Sequence, residues 1–271
     1  MNPDEQLSKI RERIDAIDSQ LLELISERAR CAQAVAQVKL DASQSDEAPP
    51  VFYRPEREAQ VLRAIQERNP GPLASEHIAS VFRELMSSCL ALEQPLSVAF
   101  LGPEGTYSQA AALKHFGQSA LPQGQASIHK VFRQVEERLC DYGVVPVENS
   151  TEGMVGQTLD CFLESPLQIT GEIELPVVHH LLAGQGTEQS DIRLILGHEQ
   201  ALGQCRQWLD SHLPNVPREA VASNGEAARR AGVEAGVAAI AGELAAGLHQ
   251  LDTLASAIQD SSTNTTRFLV L

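Results

Sequence analysis

A chain of 271 residues is long for one core and comfortable for two domains. Its 43% hydrophobic and 21% charged residues are those of a globular protein and exclude a disordered one. The net charge of −15 is spread over both halves, with 11 basic and 16 acidic residues up to Gln94 and 10 and 20 after it. Such an acidic surface excludes nucleic acid and anionic membranes as partners, and any anionic ligand needs cations gathered locally.

Five cysteines, an odd number without a CxxC spacing, read as reduced thiols rather than a disulfide framework or a zinc site. The acidic start, Met1-Asn2-Pro3-Asp4-Glu5, is unlike a signal peptide. No apolar run approaches the ~18 residues of a membrane span. A cytoplasmic protein is expected.

The first predicted element is a helix from Asp4 to Leu40. Ile10, Ile14, Ile17, Leu21 and Leu24 are spaced 4, 3, 4 and 3, the stripe resumes at Cys31, Val35 and Val38, and no Gly or Pro intervenes before Pro49. Such a helix would run roughly 55 Å, against about 30 Å for a small domain. It needs partners along its length, and dimerisation is the simple solution. Arg28 occupies the seam between Leu24 and Cys31, where a guanidinium is costly unless something anionic pairs with it. A structural ion pair and a buried anion site both fit. Lys39, three turns on, projects within about 20° of Arg28. Arg11 points roughly 100° away and does not easily serve the same pocket in one subunit, though in a dimer it could serve the partner's.

Residues Asp41 to Arg54 read as a polar, Pro-containing loop. A second helix is predicted from Pro55 to Arg68, with Arg57 and Glu58 in its first turns, and Asn69-Pro70-Gly71-Pro72 breaks it. A third starts near Ser75 or Glu76 with the stripe Ile78, Phe82, Leu85, Cys89 and Leu92. Glu93 follows Cys89 by one turn and on spacing alone is a solvated helix end.

The segments Ile10-Arg11-Glu12-Arg13-Ile14, Glu27-Arg28, Val38-Lys39, Arg57-Glu58 and Phe82-Arg83-Glu84 resemble the all-helical chorismate mutases. The resemblance implies an intertwined three-helix homodimer over residues 1–94. It implies that Arg11 of one subunit and Arg28 of the other bind the substrate carboxylates, with Arg57 assisting. Lys39 and Glu93 would face the breaking ether oxygen, Glu58 would take the ring hydroxyl, and Cys89 would lie against the substrate. That chemistry is a pericyclic shift of chorismate to prephenate. It needs no nucleophile or cofactor, only a held conformer and charge stabilisation at the ether oxygen. Two positions depart from the pattern. Glu93 stands where bacterial relatives carry Gln, and donates only when protonated. Arg54 stands where many relatives have Asp.

After Gln94-Pro95-Leu96, Ser97 to Leu101 reads as a buried strand, followed by the turn Gly102-Pro103-Glu104-Gly105-Thr106-Tyr107-Ser108-Gln109 and a helix from Ala110 to Phe116. A helix is predicted from Ser127 to Leu139, and a strand Tyr142 to Val147 runs into the polar cluster Glu148 to Gly153. Further strands are predicted at Leu167–Glu172, Leu175–Leu182 and Ile192–Leu196. A helix is expected from His198 to about Leu209, then a short strand at Ala220–Ala222. Ser223-Asn224-Gly225-Glu226 resembles a capping box opening an Ala-rich helix. Val237–Ala241 reads as a strand and Gly242 as the start of another helix. The polar run Asn264 to Arg267 enters a last strand. His179 and His180 alternate faces on a strand, which argues against a metal site. Trp208 reads as packing.

The segments Gly102 to Ser108, Val145-Pro146-Val147-Glu148-Asn149-Ser150, Gln204-Cys205, Ala239-Ile240-Ala241 and Thr266-Arg267-Phe268 resemble the prephenate dehydratases, in family order. The resemblance implies two α/β lobes over residues 95–271, the second about 176–246, in the manner of type 2 periplasmic binding proteins. It implies Thr266 and Glu148 as catalytic residues, with Asn149, Ser150, Gln204, Arg267 and Thr106 on the substrate. Relatives often carry Ser where Gly197 stands. They also usually continue into a phenylalanine-sensing ACT domain, so this chain is expected to lack one. The expectation for the whole is a multi-domain enzyme that turns chorismate into prephenate and prephenate into phenylpyruvate, without metal or cofactor. The alternatives are a mutase fused to an impaired dehydratase, and a non-catalytic small-molecule sensor.

Overall fold

A computed structural model describes residues 2–43 and 52–271. It divides into two compact units, Met1–Leu96 with Phe116–Ala120, and Ser97–His115 with Leu121–Leu271. The first unit is helical. Helix α1 (Pro3–Ser43) has Asp4 and Glu5 in its first turn, where they complement the helix dipole. It continues three residues past the expected end, and residues 44–51 of the expected loop, with Pro49, lie outside the described residues. Helix α2 (Pro55–Arg68) opens on a proline, which fits the first helical position. Helix α3 (Ser75–Glu93) packs against both α1 and α2. The small core includes Ala36, Leu62, Ala79 and Cys89. The upper seam of α1 has no cover within the described chain: Ile10, Ile14, Leu21 and Leu24 are 57%, 49%, 50% and 62% exposed.

The second unit holds two sheets. The first contains β1 (Ser97–Leu101), β2 (Leu121–Gln125), β3 (Tyr142–Asn149), the short β4 (Gly153–Met154), β5 (Gly171–Pro176) and the final β11 (Thr265–Val270). Its order is β2-β1-β3-β11-β5 with β4 beside β3, and β11 runs antiparallel between β3 and β5. Helices α5 (Ile128–Glu136) and α6 (Gly156–Glu164) cover one face, packing Val131, Phe132 and Cys161 on Ala99, Val145, Val147 and Leu269. Helix α4 (Tyr107–Phe116) follows the turn after β1.

The second sheet contains β6 (His180–Gly184), β7 (Leu194–Gly197), β8 (Arg218–Ala220), β9 (Val237–Ala241) and β10 (Leu251–Ala255), in the order β10-β6-β9-β7-β8. Strand β9 is buried throughout, so its apolar run does not alternate. Helices α7 (Glu199–Gln204) and α8 (Arg206–His212) pack Ala201, Cys205 and Leu209 on Leu181, Ile195 and Ile240. Helices α9 (Asn224–Ala231) and α10 (Glu243–His249) pack alanines on Leu182, Leu196 and Ala239 from the other side. This lobe is thus inserted between β5 and β11. The two connecting segments hold each other: Val177 N donates to the Asn264 carbonyl at 2.8 Å and Ile258 N to the His179 carbonyl at 2.8 Å.

Several expected boundaries move. The strands expected at Leu167–Glu172 and Leu175–Leu182 are β5 and β6, each begun several residues later. The helix expected from His198 to Leu209 is broken at Cys205. Ser223 caps α9 by accepting from Glu226 N, but the Glu226 carboxylate bonds Arg229 instead of closing the box. Strand β10 lies past residue 246, where the second lobe was expected to end.

Candidate active sites

In the helical unit, one cavity of about 410 Å³ is bounded by all three helices. Arg28 and Lys39 reach it from one face of α1, Arg57 and Glu58 from the first turn of α2, and Cys89 and Glu93 from the last turns of α3. Tyr53 and Arg54, just before α2, also line it. Six sequence-predicted residues are therefore together, and Arg54 joins them. Arg11 is exposed and lies outside this cavity. Arg28 has no ion-pair partner among the described residues, which favours the anion-site reading over a structural pair.

Lys39 Nζ lies 3.9 Å from Glu93 Oε2 and donates to the Phe52 carbonyl at 3.2 Å. Glu93 Oε2 is buried and has no hydrogen-bond partner among the described residues. An acceptor oxygen of a ligand could accept hydrogen bonds from Lys39 and from a protonated Glu93 at once. Burial pushes the Glu93 carboxyl above its ordinary range, against the opposing pull of Lys39 and Arg28. Burial also raises Glu58, opposed by the Tyr53 hydroxyl and by Arg83.

In the two-lobed unit, Asn149 ends β3 directly opposite Thr266 on β11. Its orientation is fixed by main chain: Asn149 Oδ1 accepts from Thr151 N at 2.9 Å and Glu152 N at 3.1 Å. Its Nδ2 then donates to Asn264 Oδ1 and Thr266 Oγ1, both at 2.9 Å. Asn264 Nδ2 in turn donates to Gln204 Oε1 at 3.0 Å. Because Thr266 Oγ1 is already an acceptor, its own proton is left for another group. Among the described residues neither that proton nor the Gln204 NH2 has a hydrogen-bond acceptor. Gln204 and Asn264 line a cavity of about 330 Å³ with Thr151, Glu152, Gln259 and Asp260. Thr266 does not line this cavity and is partly exposed. Ser150 Oγ accepts from Thr265 N at 3.0 Å, pinning the start of β11.

Other predicted residues lie elsewhere. Alternation along β11 puts Thr266 on the face of Phe268 and Arg267 on that of Leu269. Arg267 donates to Glu148 Oε2 and to Glu172 Oε1, both at 2.8 Å, and holds Glu172 below the usual carboxylate range. Glu148 and Arg267 therefore neutralise one another on the opposite face from Thr266. The Thr106 hydroxyl donates to the Pro103 carbonyl at 2.9 Å, closing its own turn. Gly197 is buried at the end of β7, where an added Cβ would sit 3.3 Å from Leu202 Cγ. Leu202 thus fills space that a serine side chain would enter. Two residues the sequence did not single out join the cluster. Asn264 was read only as the start of the last segment, and His179 only as evidence against a metal. His179 Nε2 lies 2.9 Å from Gln204 Oε1, and its Nδ1 3.0 Å from the Tyr107 hydroxyl.

The comparisons follow the same division. The family profile "Chorismate mutase type II" matches residues 10–94, and "Prephenate dehydratase" matches residues 98–271. The bifunctional chorismate mutase/prephenate dehydratase of Pseudomonas aeruginosa is 56% identical over 271 residues, which cover 100% of this chain and 74% of that protein. The protein of the same name from Neisseria gonorrhoeae is 48% identical over 270 residues, covering 99% of this chain and 72% of that one. Among solved structures, the prephenate dehydratase of Arthrobacter aurescens, in complex with L-Phe, superposes with a TM-score of 0.60 at 34% identity, covering 65% of this chain and 59% of that one. With a helical unit, a two-lobed unit and these matches along its whole length, the chain belongs to the bifunctional chorismate mutase/prephenate dehydratases.

Proposed function

We propose that the chain carries two consecutive steps of phenylalanine biosynthesis, on domains 1–94 and 95–271. The first converts chorismate to prephenate. Arg28 and Arg57 hold carboxylates, Lys39 and protonated Glu93 donate to the ether oxygen, Glu58 takes the ring hydroxyl, and Cys89 packs beside the substrate. The second converts prephenate to phenylpyruvate, carbon dioxide and water. The ring carboxylate leaves as carbon dioxide, its bonding pair enters the ring, and the C4–O bond breaks with the departing hydroxyl leaving as water after taking a proton from solvent. The observation that carries this step is the fixed acceptor role of Thr266 Oγ1, which leaves the Thr266 proton to hydrogen-bond the departing hydroxyl. The Gln204 NH2 is placed to hold a substrate oxygen, with Asn149 and Ser150 keeping the strand ends in register. Glu148 and Arg267 serve as a strut between β3, β11 and β5 rather than as acid and carboxylate clamp. A coupled assay with chorismate tests the whole reading: phenylpyruvate is expected, and accumulated prephenate would favour an impaired dehydratase.

The raised Glu93 carboxyl gives a pH signature. Its protonated, donating form is lost as pH rises through its pKa, so mutase turnover should fall with rising pH. Glu93→Gln, which donates at every pH, should flatten that descent. An unchanged profile in Glu93→Gln would remove Glu93 from the reaction.

The seam of α1 supports a homodimer in which Arg11 completes the partner's pocket. Covering each exposed apolar side chain would stabilise by on the order of 1 kcal/mol. Ile14→Glu with Leu21→Glu should yield monomers in sedimentation and depress mutase turnover while sparing the dehydratase. A dimer that survives both changes would place the contact elsewhere. The absence of a helix long and apolar enough to cross a membrane among the described residues is compatible with the cytoplasmic location proposed.

A further inference from the structure

The chain of amides beside Thr266 ends on a buried histidine for which neither step has yet supplied a use. Resting on the dehydratase reading, we infer that His179 is a positioning residue of that reaction: its Nε2–H holds the Gln204 amide with the NH2 group facing the substrate cavity.

The donor and acceptor roles follow from one fixed end. Main-chain N–H groups can only donate, so the contacts of Thr151 N and Glu152 N identify the oxygen of Asn149. Asn149 Nδ2 then identifies the oxygen of Asn264, and Asn264 Nδ2 identifies the oxygen of Gln204. That same oxygen lies 2.9 Å from His179 Nε2, so Nε2 must carry a hydrogen. Two donors converge on Gln204 Oε1, and turning the amide over would set its NH2 against both. His179 is 2% exposed, and burial pushes its pKa down, so the neutral ring is favoured. In the neutral ring Nδ1 is an acceptor, and the Tyr107 hydroxyl stands 3.0 Å from it. Tyr107 opens α4 in the first lobe, and its single hydroxyl proton also has the Val178 carbonyl within reach at 2.7 Å. The tautomer that aims Gln204 is therefore identified by the Gln204 oxygen itself, which only an Nε2–H can face.

A role exerted through Gln204 makes a distinctive kinetic prediction. His179→Leu keeps an apolar side chain in the space but removes the donor. It should lower dehydratase kcat/KM by about 10- to 100-fold, the range expected when a buried hydrogen bond is lost. Mutase turnover should be unchanged. His179→Gln, whose terminal NH2 can reach the same oxygen, should recover most of the loss. In a Gln204→Ala background, His179→Leu should cost little more, because its target is gone. Equal penalties in the presence and absence of Gln204, or a His179→Gln enzyme as poor as His179→Leu, would overturn the proposal. If His179→Leu does not fold, His179→Asn carries the same cycle, with the melting temperature of each variant as its control. Failure of the parent protein to make phenylpyruvate from prephenate would instead refute the dehydratase reading itself.

Discussion

Thr266→Ala is expected to lower phenylpyruvate formation from prephenate by at least about 10²-fold in kcat, the scale seen when one preorganised donor is removed. Chorismate consumption should stay within about two-fold of the parent, because the mutase cavity is built from α1, α2 and α3. The hydroxyl is held by Asn149 in a geometry that leaves its proton available. Alanine removes that proton and also takes the acceptor from one of the two Asn149 Nδ2 hydrogens, the other still bonding Asn264. Thr266→Ser keeps the oxygen and should retain most activity. A Thr266→Ala enzyme within tenfold of the parent would move the hydrogen-bond donor to another residue.

Arg28→Ala should do the reverse. It should cut mutase kcat/KM by about 10²- to 10³-fold, as expected when a desolvated charge partner is truncated, and spare prephenate dehydration. Arg28 is partly buried on the seam, lines the cavity and forms no ion pair among the described residues, which leaves it for the proposed substrate carboxylate. Removing it also withdraws one of the two cations that oppose the raised Glu93 pKa. The residual activity of Arg28→Ala should therefore persist to higher pH than in the parent. Initial rates with chorismate across pH, read beside rates with prephenate, check both statements. Equal loss of the two activities would point to a folding defect rather than to a binding role.

The helical unit was the more legible of the two. A stripe of period 3.5 and a proline at the start of α2 leave few alternatives, and all three helices fall close to their expected limits. The α/β unit was legible where apolar runs are short and bounded, as at β1 and β9. It was not legible where tertiary pairing decides. Strand β2 (LPQGQ) contains proline and glycine and lies at a sheet edge, where parallel pairing to β1 alone makes it a strand. Leu167 and Ile169 carry a strand-like pattern, yet Ile169 is 55% exposed, while Glu172 and Glu174 alternate around buried Ile173 in the real strand. The site shows the same limit. Motifs brought Asn149, Gln204 and Thr266 into view, but Asn264 and His179 connect only through side-chain contacts across 60 and 25 residues. Glu148 and Arg267 were grouped with Thr266 by motif resemblance, which does not register that Arg267 and Thr266, adjacent on β11, face opposite ways.

The inserted lobe is tethered by two segments that are bonded to each other, and His179 and Asn264 lie on those tethers. Opening the cleft by turning one lobe would shear the very amides that aim Gln204 and Thr266. On the proposed dehydratase reading, alignment of these donors would then depend on the two tethers staying bonded to each other. A prephenate molecule touching only one lobe would meet an unaligned donor and leave intact. Decarboxylation would begin only when the substrate spans both walls.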